Sequence, residues 1–329
     1  MGKGIGRLIT VGLAKETTRG TAISAPTFNL NVDEAEFDEK QEKVVKEQNF
    51  GIIEDSIDQE TVKEWAEGSV GGPVGDLSIG LILYSAFGAL TTSDNADANP
   101  AVKDHTFTVQ QGAQHQSLTV FVDDPLAAQD YKYALGVVSN LSIEYNVGEY
   151  VKFATDIMAK KGATATLTPT RAAENCFRAK HVTFKKASAL SGLDAASAML
   201  IRSFKLNIEK NVEPEFNLSS NEPADYLNKQ FVVTGEIEAI WQNESDFKTA
   251  FIANTAQAFR IDMKNTDVTI GTAANPELKI DMAKCIITEL SKPVVLNDLM
   301  MQTITFKAHY STSDSLLIRA ILTNLQASY

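Results

Sequence analysis

A mainly β chain made of two tandem copies of one fold is what this sequence predicts, and three observations predict it. Residues 231–241 alternate with a period of two. Val233, Gly235, Ile237, Ala239 and Trp241 share one side, and Val232, Thr234, Glu236, Glu238 and Ile240 share the other, the pattern of a half-buried strand. Residues 61–72 hold a matching place in the first half. Aligning Gly68 with Gly235 sets Glu67 on Thr234, Ser69 on Glu236 and Val70 on Ile237. The order of the following segments also repeats, and at low identity that order carries the duplication.

Each of the two strands runs into a helix candidate. The first is the apolar stretch 77–90. The second opens on N-cap chemistry at 243–246 and continues with Phe247, Ala250 and Phe251 at helical spacing. Residues 105–109 and 117–122 then read as a strand pair, as do 259–263 and 278–282. Segments 136–144 and 150–158 close the first copy, with counterparts at 283–289 and 301–309.

The remaining segments divide the chain. Residues 1–27 hold five glycines and little periodicity, which predicts an extended arm that gains order from a neighbour or from its own domain. Residues 28–162 form the first copy. Within it, 27–32 is a short strand candidate, the acidic stretch around Val44 and Val45 reads as a charged strand or a loop, and 91–100 is a loop by composition. Residues 163–198, rich in small side chains, form the linker, and 199–329 the second copy. There 203–210 alternates, with Phe204, Leu206 and Ile208 inward and Lys205, Asn207 and Glu209 outward. Residues 315–325 are apolar and fit strand or helix equally.

With 329 residues, the chain suits two domains of roughly 100–200 residues, each burying its own core. Thirty Lys and Arg face 42 Asp and Glu, a net charge of −12. Residues 1–163 hold 13 basic and 24 acidic side chains, with most of the excess between Asp33 and Glu67. Gripping a nucleic-acid backbone needs Lys and Arg to displace counterions, so this balance argues against it. Cys176 and Cys285 give neither a disulfide framework nor metal-ligand spacing. No signal peptide is expected at the start, and 77–90 is too short for a membrane span of about 20 residues.

Candidate chemistry is sparse. The glycines at 2, 4 and 6 lack the preceding strand and the Lys-Ser/Thr helix start of a phosphate loop. His105, His115, His181 and His309 are far apart, and His105 and His309 read as sheet residues. Asp123, Asp124 and Pro125 read as a turn. No nucleophile, base and orienter set is present, so catalysis, cofactors and bound metals are not expected.

The N-terminal pattern Gly12, Ala14, Glu16, Thr17, Gly20 and Thr21 resembles the start of one family of phage tail tube (major tail) proteins. Residues 136–144 and 150–162 are similar to that family's next recurring block, and the Gly68 strand and the apolar helix up to Gly88 also fit. The resemblance implies an antiparallel β-sandwich with a helix on its flank. Six copies of that unit close a ring whose inner sheets join into one β-barrel, and stacked rings conduct viral DNA. Two tandem sandwiches per chain would make the ring a trimer with pseudo-sixfold symmetry. Such a barrel has no sheet edges left to aggregate.

A DNA conduit should repel phosphate, so its lumen should be lined by the polar sides of the long strands. Those positions are Glu67 and Ser69, Thr234, Glu236 and Glu238, and Lys205, Asn207 and Glu209 on the neighbouring strand. Residues 1–27, 91–104 and 163–198 are the segments expected to reach the next ring. The implied partners are other copies of the chain and the tape measure, tail terminator and baseplate proteins. DNA would pass without specific binding, no membrane is involved, and the implied location is the virion tail, after the host cytoplasm. Competing readings are a baseplate-proximal ring or contractile-particle tube of the same fold, a carboxylate-dependent hydrolase, and a surface adhesin.

Overall fold

The computed structural model describes residues 5–49, 51–124, 130–168, 170, 173–243, 247–294, 296 and 299–329. The first half runs through β1 (Thr10–Lys15), β2 (Phe28–Asn29), β3 (Glu34–Lys46) and β4 (Asp58–Pro73) into helix α1 (Ile79–Phe87). It continues with β5 (Gly88–Asp94), β6 (Lys103–Val109), β7 (Leu118–Asp123), β8 (Tyr131–Asn146), β9 (Lys152–Ala159) and β10 (Ala163–Thr164). Next come β11 (Val182–Ala187), β12 (Ala198–Met199), β13 (Ile201–Glu209), β14 (Val212–Glu215), β15 (Asp225–Asn228) and β16 (Val232–Ile240). After helix α2 (Lys248–Ile252) the chain ends with β17 (Gln257–Lys264), β18 (Glu277–Ser291), β19 (Met301–Ala308) and β20 (Ile318–Asn324).

Among the described residues the fold is mainly β, its sheets are antiparallel, and none closes into a barrel. One sheet runs β3–β4–β9–β8–β13–β16–β19–β18. The β8–β13 pairing makes it continuous from the first half of the chain into the second. A further sheet places β1 between β2 and β7, and β7 on the N-terminal part of β8, where β10 also pairs. A third contains β12, β11, β17, the N-terminal part of β18, β20, β6 and β5. Both β8 and β18 therefore leave one sheet and enter another.

Bulges mark where these two long strands change sheets. Pairing of β7 with β8 is irregular between Leu118 and Val120, and that of β17 with β18 between Gln257 and Phe259. Further along, the register shifts between Val138 and Asn140 in β8 and between Ile287 and Glu289 in β18. An extra residue bends the bulged strand and sharpens its twist, which lets one strand serve two sheets.

Apolar side chains from all three sheets, among them Leu13, Val70, Leu141, Leu206, Ile237, Phe259 and Leu322, meet in one contiguous core with α1. Both halves of the chain contribute to this core, and Leu135, Val137 and Tyr226 form a second, smaller cluster. Residues 163–198 contain β10, β11 and the first residue of β12.

Helix α1 is apolar all round and buries eight of its nine residues, as a helix packed on every side must. It stops at Gly88, whose φ of 89° suits glycine. Two cationic-type side chains meet its last carbonyls: Lys210 Nζ donates to Ser85 O and His115 Nδ1 to Ala86 O, both at 2.8 Å. Burial pushes the Lys210 ammonium well below its ordinary pKa.

Two local expectations are corrected. Residues 105–109 do not pair with 117–122; β6 lies between β5 and β20, and β7 between β1 and β8. Residues 91–94 are strand, held by β6. Of the two sources of order open to residues 1–27, β1 takes the second, docking on β7 of its own chain. The expected cap of α2 spans residues 243–246, of which 244–246 lie outside the described residues. The 315–325 ambiguity resolves as strand, because β20 fills the space between β18 and β6.

Candidate functional surface

The eight-stranded sheet has a core face and a polar face. Along β13 the core face buries Phe204, Leu206 and Ile208, and along β16 it buries Val233, Ile237 and Ala239. Alternation then forces Lys205, Asn207, Glu209, Thr234, Glu236 and Glu238 onto the opposite side.

Backbone register ties these positions together. Asn207 lies opposite Thr234, Lys205 opposite Glu236, and Ser203 opposite Glu238. On the other flank of β13, Asn207 faces Ser142, Lys205 faces Glu144, and Glu209 faces Asn140. Asn140 in turn faces Asp156, and Asp156 faces Ser69. A polar row therefore runs unbroken from Ser69 in β4 to Glu209 in β13, across two intervening strands. Glu67, opposite Met158, completes the set in β4. All eight predicted positions lie on one face of one sheet.

The face is predominantly acidic. Lys205 Nζ sits 3.6 Å from Glu144, Asn140 Nδ2 donates to Asp156 at 3.2 Å, and Ser203 Oγ donates to Glu238 at 3.4 Å. Glu36, Lys40, Glu67 and Asp156 line a common shallow concavity at the β3 end. Sequence reasoning missed Glu144, Asp156, Thr305 and Lys307 on this face, although alternation in 136–144, 150–158 and 301–309 could have found them.

Away from the sheet, the N-terminal pattern has a structural role. Glu16 is buried and accepts hydrogen bonds from Ser117 Oγ (2.6 Å), Gly20 N (2.7 Å) and Leu135 N (2.8 Å). Gly12 is needed for close approach: a Cβ there would lie 2.6 Å from Pro26 Cβ. Arg19 crosses to the second half, donating to Asp225 Oδ1 at 2.7 Å and to Tyr226 O at 3.0 Å.

His105 contacts Thr92 Oγ1 of β5 at 2.9 Å and Gln326 O, just past β20, at 2.9 Å. Asp123 ends β7 and accepts from Thr10 Oγ1 at 3.2 Å. Among the described residues no His, Cys, Asp and Glu side chains group as metal ligands, and no helix is long and apolar enough to cross a membrane.

Compared with known proteins, residues 6–308 match the model of the phage tail tube protein family. No curated protein matches the chain.

Proposed function

The chain belongs to the phage tail tube protein family, a structural component of the virion tail, and on that premise we propose that three copies close one ring of the tube. Each chain supplies two equivalent sandwich units, residues 28–162 and 199–329, with the linker between them. The polar face of the long sheet lines the channel, and viral DNA passes along it.

One observation carries this reading. Gly68 lies opposite Ile157, and Ile157 opposite Val138; Gly235 lies opposite Phe306, and Phe306 opposite Ile287. Both ladders then shift register at the next step, after Val138 and after Ile287. The matching extends to the other sheets, where Leu118 opposite Gly136 has its counterpart in Gln257 opposite Cys285. Coincident registers and bulges in unlike sequences support descent from one repeated unit. Insertions account for the differences: β5 and β6 stand only in the first unit, β14 and β15 only in the second.

The channel assignment draws on charge. A wall bearing Glu67, Asp156, Glu144, Glu209, Glu236 and Glu238 would repel a polyanion, whereas a cationic wall would bind it and slow its passage. Before assembly the chain would reside in the host cytoplasm, and in the tail it would meet the tape measure, terminator and baseplate proteins.

Negative-stain electron microscopy of the purified protein tests the reading. Long tubes with a central channel are expected. Particles that stop at a single ring would point instead to a baseplate-proximal component of the same fold.

A further inference from the structure

We propose that the pocket under the first turn of α1 is a tyrosine-recognition site. Tyr329 fills it from within the chain on a short tether, and once that tether lifts the site takes a tyrosine presented by another polypeptide. The inference goes beyond the tube reading and uses no residue of the polar face of the long sheet.

Tyr329 lies five residues past the end of β20. Its side chain is buried, while Leu325, Ala327 and Ser328 before it are exposed. The ring packs against Phe28, His105 and Phe107, with centroids 6.0, 4.8 and 6.2 Å away. Gly80 of α1 forms the wall facing the ring, where a Cβ would lie 2.2 Å from Tyr329 Cζ. Glycine is among the poorest helix formers, and the close approach of the ring is what requires it at this position.

The polar groups of the pocket read the hydroxyl. Tyr329 OH donates to Leu77 O at 2.7 Å and accepts from Asn324 Nδ2 at 2.7 Å. Asn324 is fixed in turn: its Nδ2 also donates to Asp76 O at 2.6 Å, and its Oδ1 accepts from His105 Nε2 at 3.1 Å. That His105 nitrogen lies 2.9 Å from Gln326 O as well. A carbonyl can only accept, so Nε2 carries the proton. Burial pushes the phenol pKa well above its ordinary value and keeps the hydroxyl a donor. At the mouth Lys15 Nζ donates to Tyr329 O at 2.5 Å. Apolar walls with a few convergent polar groups are the general form of a ligand site; these recognise a ring and its para hydroxyl together.

The plug is a single side chain. Apart from Tyr329 the tether 325–328 buries no residue, so lifting it is a local opening. It leaves β20 paired with β18 and β6.

Tyr329→Gly empties the pocket, and thermal unfolding with added ligands tests it. Millimolar p-cresol, which reproduces the tyrosine side chain, should raise the Tm of the variant and leave the wild type unmoved. Toluene should bind at least about tenfold more weakly, because Leu77 O and Asn324 Nδ2 then lose their partner. A peptide spanning residues 325–329 should also stabilise the variant, and the same peptide with Tyr329→Phe should do so less.

Equal response to p-cresol and toluene, or a p-cresol shift no larger in the variant than in the wild type, would overturn the recognition site. A response to p-cresol without any to the peptide would overturn the polypeptide partner. Where Tyr329→Gly does not fold alone, refolding decides: recovery with p-cresol and not with toluene supports the site, and recovery with neither contradicts it. None of these outcomes bears on tube formation by the unsubstituted protein, so the two readings fail separately.

Discussion

The Glu16 carboxylate accepts the backbone N–H of Leu135 at 2.8 Å, and Leu135 has a positive φ of 56° at the point where β8 turns from one sheet into another. The side chain just past the end of β1 thus holds the bend that lets β8 serve both layers. Leucine rarely adopts this conformation, and a buried hydrogen bond to its N–H helps to hold it there.

Removing that acceptor should cost stability. Glu16→Ala leaves the N–H of Leu135 and the hydroxyls of Ser117 and Thr119 without their partner, a loss of about 3 kcal/mol for buried donors left unsatisfied. Glu16→Gln keeps one acceptor oxygen and should lose less. Urea unfolding midpoints should rank wild type above Gln and Gln above Ala.

Asp281 is fully buried between two guanidinium groups, accepting from Arg260 Nε at 2.6 Å and Arg319 Nη2 at 2.8 Å. Asp281→Ala leaves the buried Arg260 with Asp194 as its remaining carboxylate partner, and about 3 kcal/mol should be lost. Arg260→Met together with Asp281→Leu removes both charges and should recover much of that loss. Chemical denaturation of the single and double variants, read as a mutant cycle, checks the coupling.

Two buried groups give the pH profile opposite slopes. Burial, and secondarily Lys210, lowers the His115 pKa to about 4. Its unfolded form takes up a proton near pH 6.5 while the folded form stays neutral, so stability falls as pH drops from about 6.5 to about 4. Asp262 behaves the other way. Burial first and the neighbouring Glu277 second raise its pKa. The folded form then holds its proton where the unfolded form has lost it, and stability falls as pH rises from about 4 through the raised value. Asp262→Asn should therefore stabilise the protein at pH 7 and steepen the acid-side loss. His115→Gln should flatten that loss. Thermal unfolding between pH 4 and pH 7 separates the two.

Reversing charge on the polar face should show in DNA passage. Glu236→Lys with Glu238→Lys should leave the fold intact, because Glu236 is exposed and Glu238 half-buried, and should slow ejection in a salt-dependent manner. Unchanged ejection kinetics would remove the channel assignment for this face.

How much of this was legible depended on how local each signal was. Alternation in 203–209 and 232–240 announced two strands and their polar faces, because one face packs on the core and the other does not. The Gly68–Gly235 alignment falls on equivalent ladder positions for the same reason. By contrast, β5 hides behind Thr, Ser and Asp residues that read as loop, and it is strand because β6 pairs with it. Residues 10–15 look like part of an arm, since their burial comes from β7, more than 100 residues away. The Glu16–Leu135 bond and the Asp281 cluster join residues that only the folded chain brings together. Single-sequence patterns carry no trace of such contacts.

The number of chains in one ring tests the central claim most directly. Symmetry analysis of an assembled tube by electron cryomicroscopy, or the mass of an isolated ring, should give three chains arranged with pseudo-sixfold symmetry. Six intact chains per ring would contradict the doubled unit on which the account stands.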